Sequence, residues 1–410
     1  MPELTDSQVT VVGGGAVGAA AAYFLAREGY RDLQIIEAGN TSSETTSQAA
    51  GLVGQSRTTL DRTRLTIASA AFYRNLEKDL GYTADWRETG SIRLALSDAS
   101  VAELQQIAAV AAQADLHVEL IDGRRVQELC PMLEDVSAVR LALWCPTDGY
   151  VQPNSLTDAY LQAARDLGAR VIPHTRVVGV DVRDGVVTGL QTDHGNIATD
   201  MVVNAAGPWA GALARLAGVE MPIVPVLHEY FVTEPQDGWD SGSPTLRIPE
   251  IQVYARGEGS GVLCGGFEHN GTSIDPATVA IDSVLPATLN WEVLGAFAED
   301  FARFVPTFGD AGIRTVFRGW PGFTPDGRFV VGPVAGLRGF VMAAGCNAHG
   351  VSGSAGLAQH LLESLTGDVS PYVRSLSPNR FLPRTWSWSE ARLQAQAICE
   401  NYYPMPAQPV

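Results

Sequence analysis

Apolar and polar positions along this 410-residue chain fall into two recurring rhythms. Residues 9–12 (VTVV) are a short β-branched run, the pattern of a strand buried on both faces. Residues 19–27 are rich in strong helix formers, and Gly29 supplies a stop. Residues 33–36 read as a second strand, closed by Glu37. Helical spacing returns over 63–80, 101–114 and 123–129, with a strand at 91–96 between them. Asn154 is expected to cap a helix ending near Gly168. Strands are predicted at 169–171, 177–183 and 185–192, the last two as a hairpin around Asp184-Gly185. A strand at 201–204 ends in Ala205, Ala206, Gly207, Pro208 and Trp209. Pieces of 222–232, 252–255 and 261–265 read as strands of a second sheet, and 285–304 as a helix. Residues 340–344 form a buried strand that runs into Gly345, followed by a helix to Leu365. The tail beyond Pro371 is expected to wrap the surface.

The first turn carries the chemistry. Gly13, Gly15 and Gly18 fall at G-x-G-x-x-G spacing between strand and helix. Gly13 permits the sharp turn, Gly15 leaves room for a pyrophosphate, and Gly18 lets the helix approach the sheet. A helix N-terminus faces that pyrophosphate, and a carboxylate at Glu37 can accept from both ribose hydroxyls of an adenosine. The glycine triplet alone is a weak signal; its strand, helix and acid make it a dinucleotide site. The small, polar loop 38–57 can run beside a flat ligand, or be a plain surface loop. Gly345, Asn347, His349 and Gly350 mark a second strand–glycine–helix junction with a positive dipole end.

Composition narrows the partners. Net charge is −17 with no basic run, which argues against nucleic acid and an anionic membrane surface. The polar start MPELTDSQ has no positive n-region, so neither a signal peptide nor a membrane span is expected, and a cytoplasmic location follows. The five cysteines are scattered, as in a reducing compartment, and no metal-ligand spacing appears.

Five pieces, in order, resemble the FAD-dependent amine oxidoreductases of the D-amino-acid, glycine and sarcosine oxidase type. They are VVGGGAVG (11–18), TSQAAGLVGQ (46–55), VVNAAGPWA (202–210), HEYFVTE with VYARGEGSGVLCGGFE (228–234 and 253–268), and GFTPDG (322–327). The likeness is greatest to the flavin half of dimethylglycine and sarcosine dehydrogenases and dimethylglycine oxidase. It implies an α/β fold: a discontinuous, Rossmann-like FAD domain of the glutathione-reductase type (1–85, 146–220, 315–375) and an α+β substrate domain on a mostly antiparallel sheet (86–145, 221–314), then a tail (376–410). It also implies that FAD contacts Gly13, Gly15, Ala16, Val17, Gly18, Glu37 and Ala38. Ser47, Gln48, Ala49, Ala50, Gly51 and Leu52 pass the flavin. Val177, Ala206, Gly207 and Trp209 flank the nucleotide, and Gly345, His349, Gly350, Val351 and Ser352 approach the ring.

Four departures stand out. Gln48 replaces the histidine that bonds flavin covalently in dimethylglycine dehydrogenases, and 314–326 lacks the cysteine used by monomeric sarcosine oxidases, so FAD is expected to be non-covalent. Cys264 stands where sarcosine oxidases place a lysine for oxygen; the chain's one lysine is Lys78. The chain stops after ENYYPMP (400–406), so no folate domain is expected here.

By resemblance His228 is the active-site histidine and Tyr254 the tyrosine facing it; alone, each reads as a strand or core residue. A substrate carboxylate calls for an arginine. Arg57 is favoured over Arg318, though either can serve a structural ion pair. The expected reaction is oxidation of a carboxylate-bearing secondary or tertiary amine, an N-substituted glycine such as sarcosine, dimethylglycine or an N-carboxymethyl amino acid, with oxygen as acceptor and hydrogen peroxide as product. The alternatives are a glycine or D-amino-acid oxidase, a dehydrogenase, and a flavin-carrying subunit that needs a partner.

Overall fold

The computed structural model describes residues 4–279, 285–382 and 384–403. Two eight-stranded sheets carry the chain. In the first, Ser7–Val12 is central. Leu33–Ile36 and then Arg170–Ile172 lie to one side, and Gly195–Asn204 and Phe340–Ala344 to the other, all parallel. Val330–Pro333 closes that edge antiparallel, and the hairpin of Val177–Arg183 and Val186–Thr192 extends Gly195–Asn204. The strand order therefore reverses at the carboxyl end of Ser7–Val12, where such sheets bind ligands.

Helix Ala16–Arg27 lies on this sheet because its inner face is nearly all alanine; Ala19, Ala20, Ala21 and Ala22 have no exposed surface. Pro153–Asp166 and Ser354–Ser364 pack beside it. Gly18 is obligatory in this contact, since a Cβ there would come 1.9 Å from the Gly13 carbonyl oxygen. Gly13 itself has φ +112°, a backbone that side-chain-bearing residues avoid.

The second sheet runs Ile313–Gly319, His228–Thr233, Gly261–Gly266, Val253–Glu258, Thr245–Ile248, Ser91–Ala95, Leu141–Cys145, Glu119–Ile121. All its pairs are antiparallel except Thr245–Ile248 with Ser91–Ala95. One face is apolar: Phe231, Leu246, Ala255 and Cys264 pack with Leu294, Phe297 and Phe301 of helix Trp291–Ala302. Burying each of the leucine and phenylalanine side chains is worth ~2 kcal/mol. The opposite face looks onto the first sheet's ligand edge and presents Arg93, Arg247 and Tyr254. This is the α/β fold, with its second sheet mostly antiparallel, that the sequence led us to expect.

Local expectations needed revision. Asn154 is not the cap of its helix; Gln152 is, with Pro153 pre-setting the first turn. The helix expected over 285–304 is confined to Trp291–Ala302, capped by Asn290, whose side chain accepts from the Glu292 and Val293 N–H groups. The strand expected at 201–204 starts at Gly195. Ile313–Gly319 belongs to the second sheet. The tail does more than wrap the surface. Trp388–Glu400 is a helix against Val224–Pro225 and Gly322–Phe323, and it delivers Tyr402 and Tyr403 to the interior. Residues 404–406 of the expected linker lie outside the described residues. No described helix is long and apolar enough to cross a membrane.

Candidate active site

A cavity of about 250 Å³ lies between the sheets. Its floor is the first sheet's ligand edge and its roof the second sheet. Strand registry explains the roof. Arg93 pairs with Arg247, Arg247 with Tyr254, Tyr254 with Gly265, and Gly265 with Tyr230, so these residues share one face. His228, two residues before Tyr230, points the same way.

His228 Nε2 and the Tyr254 hydroxyl are 2.7 Å apart. The Tyr254 ring lies across Gly265, where a Cβ would come 2.6 Å from the hydroxyl oxygen. Burial pulls the His228 pKa down to about 4 and pushes Tyr254 well above its ordinary value, so both are neutral near pH 7. His228 stacks on Phe267, centroids 4.7 Å apart, and Phe267 on Tyr402 at 3.7 Å.

Tyr402 in turn meets His349. The Asn347 carbonyl can only accept, so His349 Nδ1 (2.8 Å away) carries the proton and Nε2 accepts from the Tyr402 hydroxyl at 3.0 Å. Burial first, then Arg57 and Arg62, hold His349 well below its ordinary pKa. The loop that carries His349 is strained: Ala348 has φ +60°. Asn347 pins it, accepting from the Thr324 N–H and donating to the Gly345 carbonyl.

On the floor, Ala16 N–H donates to Thr46 Oγ1 at 3.1 Å, tying loop 38–57 to the first helix. Arg256, 2% exposed, donates through Nε to the Ala50 carbonyl, pairs with Glu258 and lies over the Tyr150 ring. The Tyr230 hydroxyl donates to the Ala49 carbonyl. The small-residue loop is thus held from the roof by two side chains.

The family description "FAD dependent oxidoreductase" matches residues 8–364. The chain belongs to this family. It is 31% identical over 362 residues to 4-methylaminobutanoate oxidase (formaldehyde-forming) of Paenarthrobacter nicotinovorans, covering 88% of this chain and 44% of that protein. It is 30% identical over 371 residues to human mitochondrial sarcosine dehydrogenase, covering 88% and 40%. The chain thus spans under half the length of these relatives. Among solved structures, L-proline dehydrogenase from P. horikoshii superposes with a TM-score of 0.83 at 25% identity, covering 92% of this chain and 98% of that one.

As a member of this FAD-dependent family the chain takes FAD, and its residues fit the group. Helix Ala16–Arg27 is capped by Gly15 with no side-chain bond and no acid in its first turn. Its first N–H groups lack intrahelical partners, a ready anion site opening on the cavity. The Glu37 carboxylate sits beside this turn, accepting from the Gly14 and Gly39 N–H groups at 2.7 Å each.

The structure brings most of the expected residues together. Gly15, Ala16, Val17, residues 48–52, Gly207, Gly345, residues 349–352, Arg57, His228 and Tyr254 all line the cavity. Gly13 and Gly18 shape the turn behind it. Glu37, Ala38, Ser47, Val177, Ala206 and Trp209 do not line it. Arg318 is exposed, its guanidinium donating to the Ala287 carbonyl and its N–H to Gln48 Oε1. Cys264 points to the apolar core, one residue out of phase with the cavity face, so it is not the residue that replaces a lysine over the ring. Lys78 is exposed on helix Leu60–Leu80. Sequence reasoning missed Arg62, Arg93, Arg247, Phe267, Tyr402 and Tyr403. Arg247 and Arg93 were findable only through strand pairing.

Proposed function

We propose that the chain oxidises the C–N bond of a carboxylate-bearing secondary or tertiary amine of the N-substituted glycine class, with non-covalent FAD and oxygen as final acceptor, releasing hydrogen peroxide. The observation that carries this is the neutral His228–Tyr254 pair facing the same cavity as Arg57. FAD supplies, when bound, the two-electron acceptor the oxidation requires.

The chain's residues do the rest. Arg57, brought to about 10 chiefly by burial, stays charged and binds the carboxylate through its fork. The neutral His228–Tyr254 pair favours and orients the uncharged amine. Phe267 and Tyr402 exclude water from the reacting carbon. The first-sheet unit holds FAD, and the second sheet supplies the amine-facing residues.

Anaerobic bleaching of bound flavin by sarcosine, dimethylglycine, glycine and D-alanine tests the reading. N-methylated glycines should bleach it fastest. Preferential bleaching by D-alanine or glycine would transfer the chain to primary amines. The likeness to a sarcosine dehydrogenase supports a second reading, in which electrons pass to a protein partner. Reoxidation in air at a small fraction of turnover would favour it.

A further inference from the structure

In a chain of net charge −17, the cavity collects cations. Arg57, Arg62, Arg93 and Arg247 line it against one acid among the described residues, Glu103. Glu103 is taken by Arg93 at 2.8 Å. Arg57, Arg62 and Arg247 form no ion pair and no guanidinium hydrogen bond among the described residues. Asp148, a carboxylate that acts on Arg57, is engaged by the Gln55 N–H and the Ser91 hydroxyl.

The three are close enough to oppose one another: Arg247 and Arg62 both disfavour the charged form of Arg57. All three act on Tyr402. Arg62 stands in the first turn of helix Leu60–Leu80, where the dipole favours acids. Gly54 leaves the space that the Arg247 guanidinium fills; a Cβ there would come 3.0 Å from it. Half-buried like charges kept without partners are a cost to the free protein. A ligand that neutralises them removes it.

FAD's own phosphates do not answer this need. Their site is the turn at Gly15 on the first sheet, whereas Arg247 is the cross-strand neighbour of Tyr254 on the second. One carboxylate satisfies one guanidinium fork. We infer that the substrate carries a second acidic group, so that the chain takes an N-substituted amino dicarboxylate, with Arg57 on one carboxylate and Arg62 and Arg247 on the other. This rests on the amine-oxidising reading above and specifies its substrate class.

The test uses the FAD-bound protein and two non-oxidisable thioethers in which sulfur replaces the amine nitrogen: thiodiacetate, a dianion, and (methylthio)acetate, a monoanion. Binding is read from perturbation of the flavin absorbance. Thiodiacetate should bind at least about tenfold tighter at low salt, and the gap should shrink as salt rises. Arg247→Gln and, independently, Arg62→Gln should close most of the gap, weakening thiodiacetate severalfold more than (methylthio)acetate. Equal binding of the two, failure of thiodiacetate to bind, or an undiminished gap in both variants overturns the inference. Bleaching by amines is scored separately. Sarcosine bleaching the flavin as well as iminodiacetate, with equal thioether binding, would leave the amine oxidation standing and remove the second anion. Thiodiacetate preferred while no amine bleaches would do the reverse.

Discussion

The Tyr254 hydroxyl and His228 Nε2 are hydrogen-bonded across two strands that are not neighbours: Gly261–Gly266 lies between them. The bond exists because Gly265 has no side chain, so the Tyr254 ring can lie over the intervening strand. Tyr254→Phe should keep the fold, costing about 1 kcal/mol for one hydroxyl. It should lower kcat/KM for the amine by about 10–100-fold, because His228 loses the group that fixes its ring. Stopped-flow flavin reduction checks this; an unchanged reduction rate would remove the pair from the chemistry.

The contact between the first helix and its sheet tolerates no methyl group. Gly18→Ala would put a Cβ 1.9 Å from the Gly13 oxygen, so either helix or turn must move. More than about 3 kcal/mol of stability should be lost, with the FAD content of purified protein. Gly295→Ala is the matched control: it sits in helix Trp291–Ala302 with open space at its Cβ. That change should stabilise by about 0.5–1 kcal/mol. Thermal melts of the two variants should move in opposite directions.

The glycine turn was legible in the chain itself, and the His228–Tyr254 pair was not. Gly13, Gly15 and Gly18 declare themselves because a sharp turn, a close ligand and a close helix are all local demands. His228 and Tyr254 became readable through family likeness. The cavity arginines illustrate the limit. Arg93 and Arg247 are far apart in sequence and become neighbours only when Ser91–Ala95 pairs in parallel with Thr245–Ile248. Tyr402 follows a tail helix whose register against Val224–Pro225 no periodicity reveals. Cys264 shows the same lesson in reverse: strand side chains alternate, so an offset of one residue moved it from cavity to core.

Arg256 holds the cofactor loop directly. Its Nε holds the Ala50 carbonyl while its charge meets Glu258. Arg256→Lys keeps the charge but loses the planar fork. FAD affinity should fall about tenfold with a modest loss of stability, whereas Arg256→Met, which leaves Glu258 only Gln152 as a partner, should cost about 1–3 kcal/mol. FAD titration of apoprotein together with melting curves separates the two effects.

Flavin should leave the protein on acid precipitation. Gln48 offers an amide, the His349 ring is engaged by Asn347 and Tyr402, and burial pushes the cavity-lining Cys346 up to about 12. A thiol at that value is a poor nucleophile at neutral pH. All yellow colour should appear in the supernatant after trichloroacetic acid. Colour in the pellet would require a covalent bond that none of these side chains is prepared to make.

The pH dependence follows from His228. Its folded pKa, about 4, lies below the ordinary 6.5 because burial disfavours the imidazolium. The unfolded chain therefore takes up a proton that the native protein refuses. Stability contributed by this site is complete above pH 6.5, declines as pH falls towards 4, and is fully lost below it, by about 1–3 kcal/mol after allowing for access from the cavity. Melting temperatures between pH 7.5 and 4.5 should fall less steeply in His228→Asn than in the parent. Catalysis should show the complement. With His228 neutral throughout this range, kcat/KM should climb with unit slope towards the pKa of the substrate amine, with no break near 6.5. A break there would mean that His228 exchanges its proton with solvent, and the orienting role would give way to one as a base.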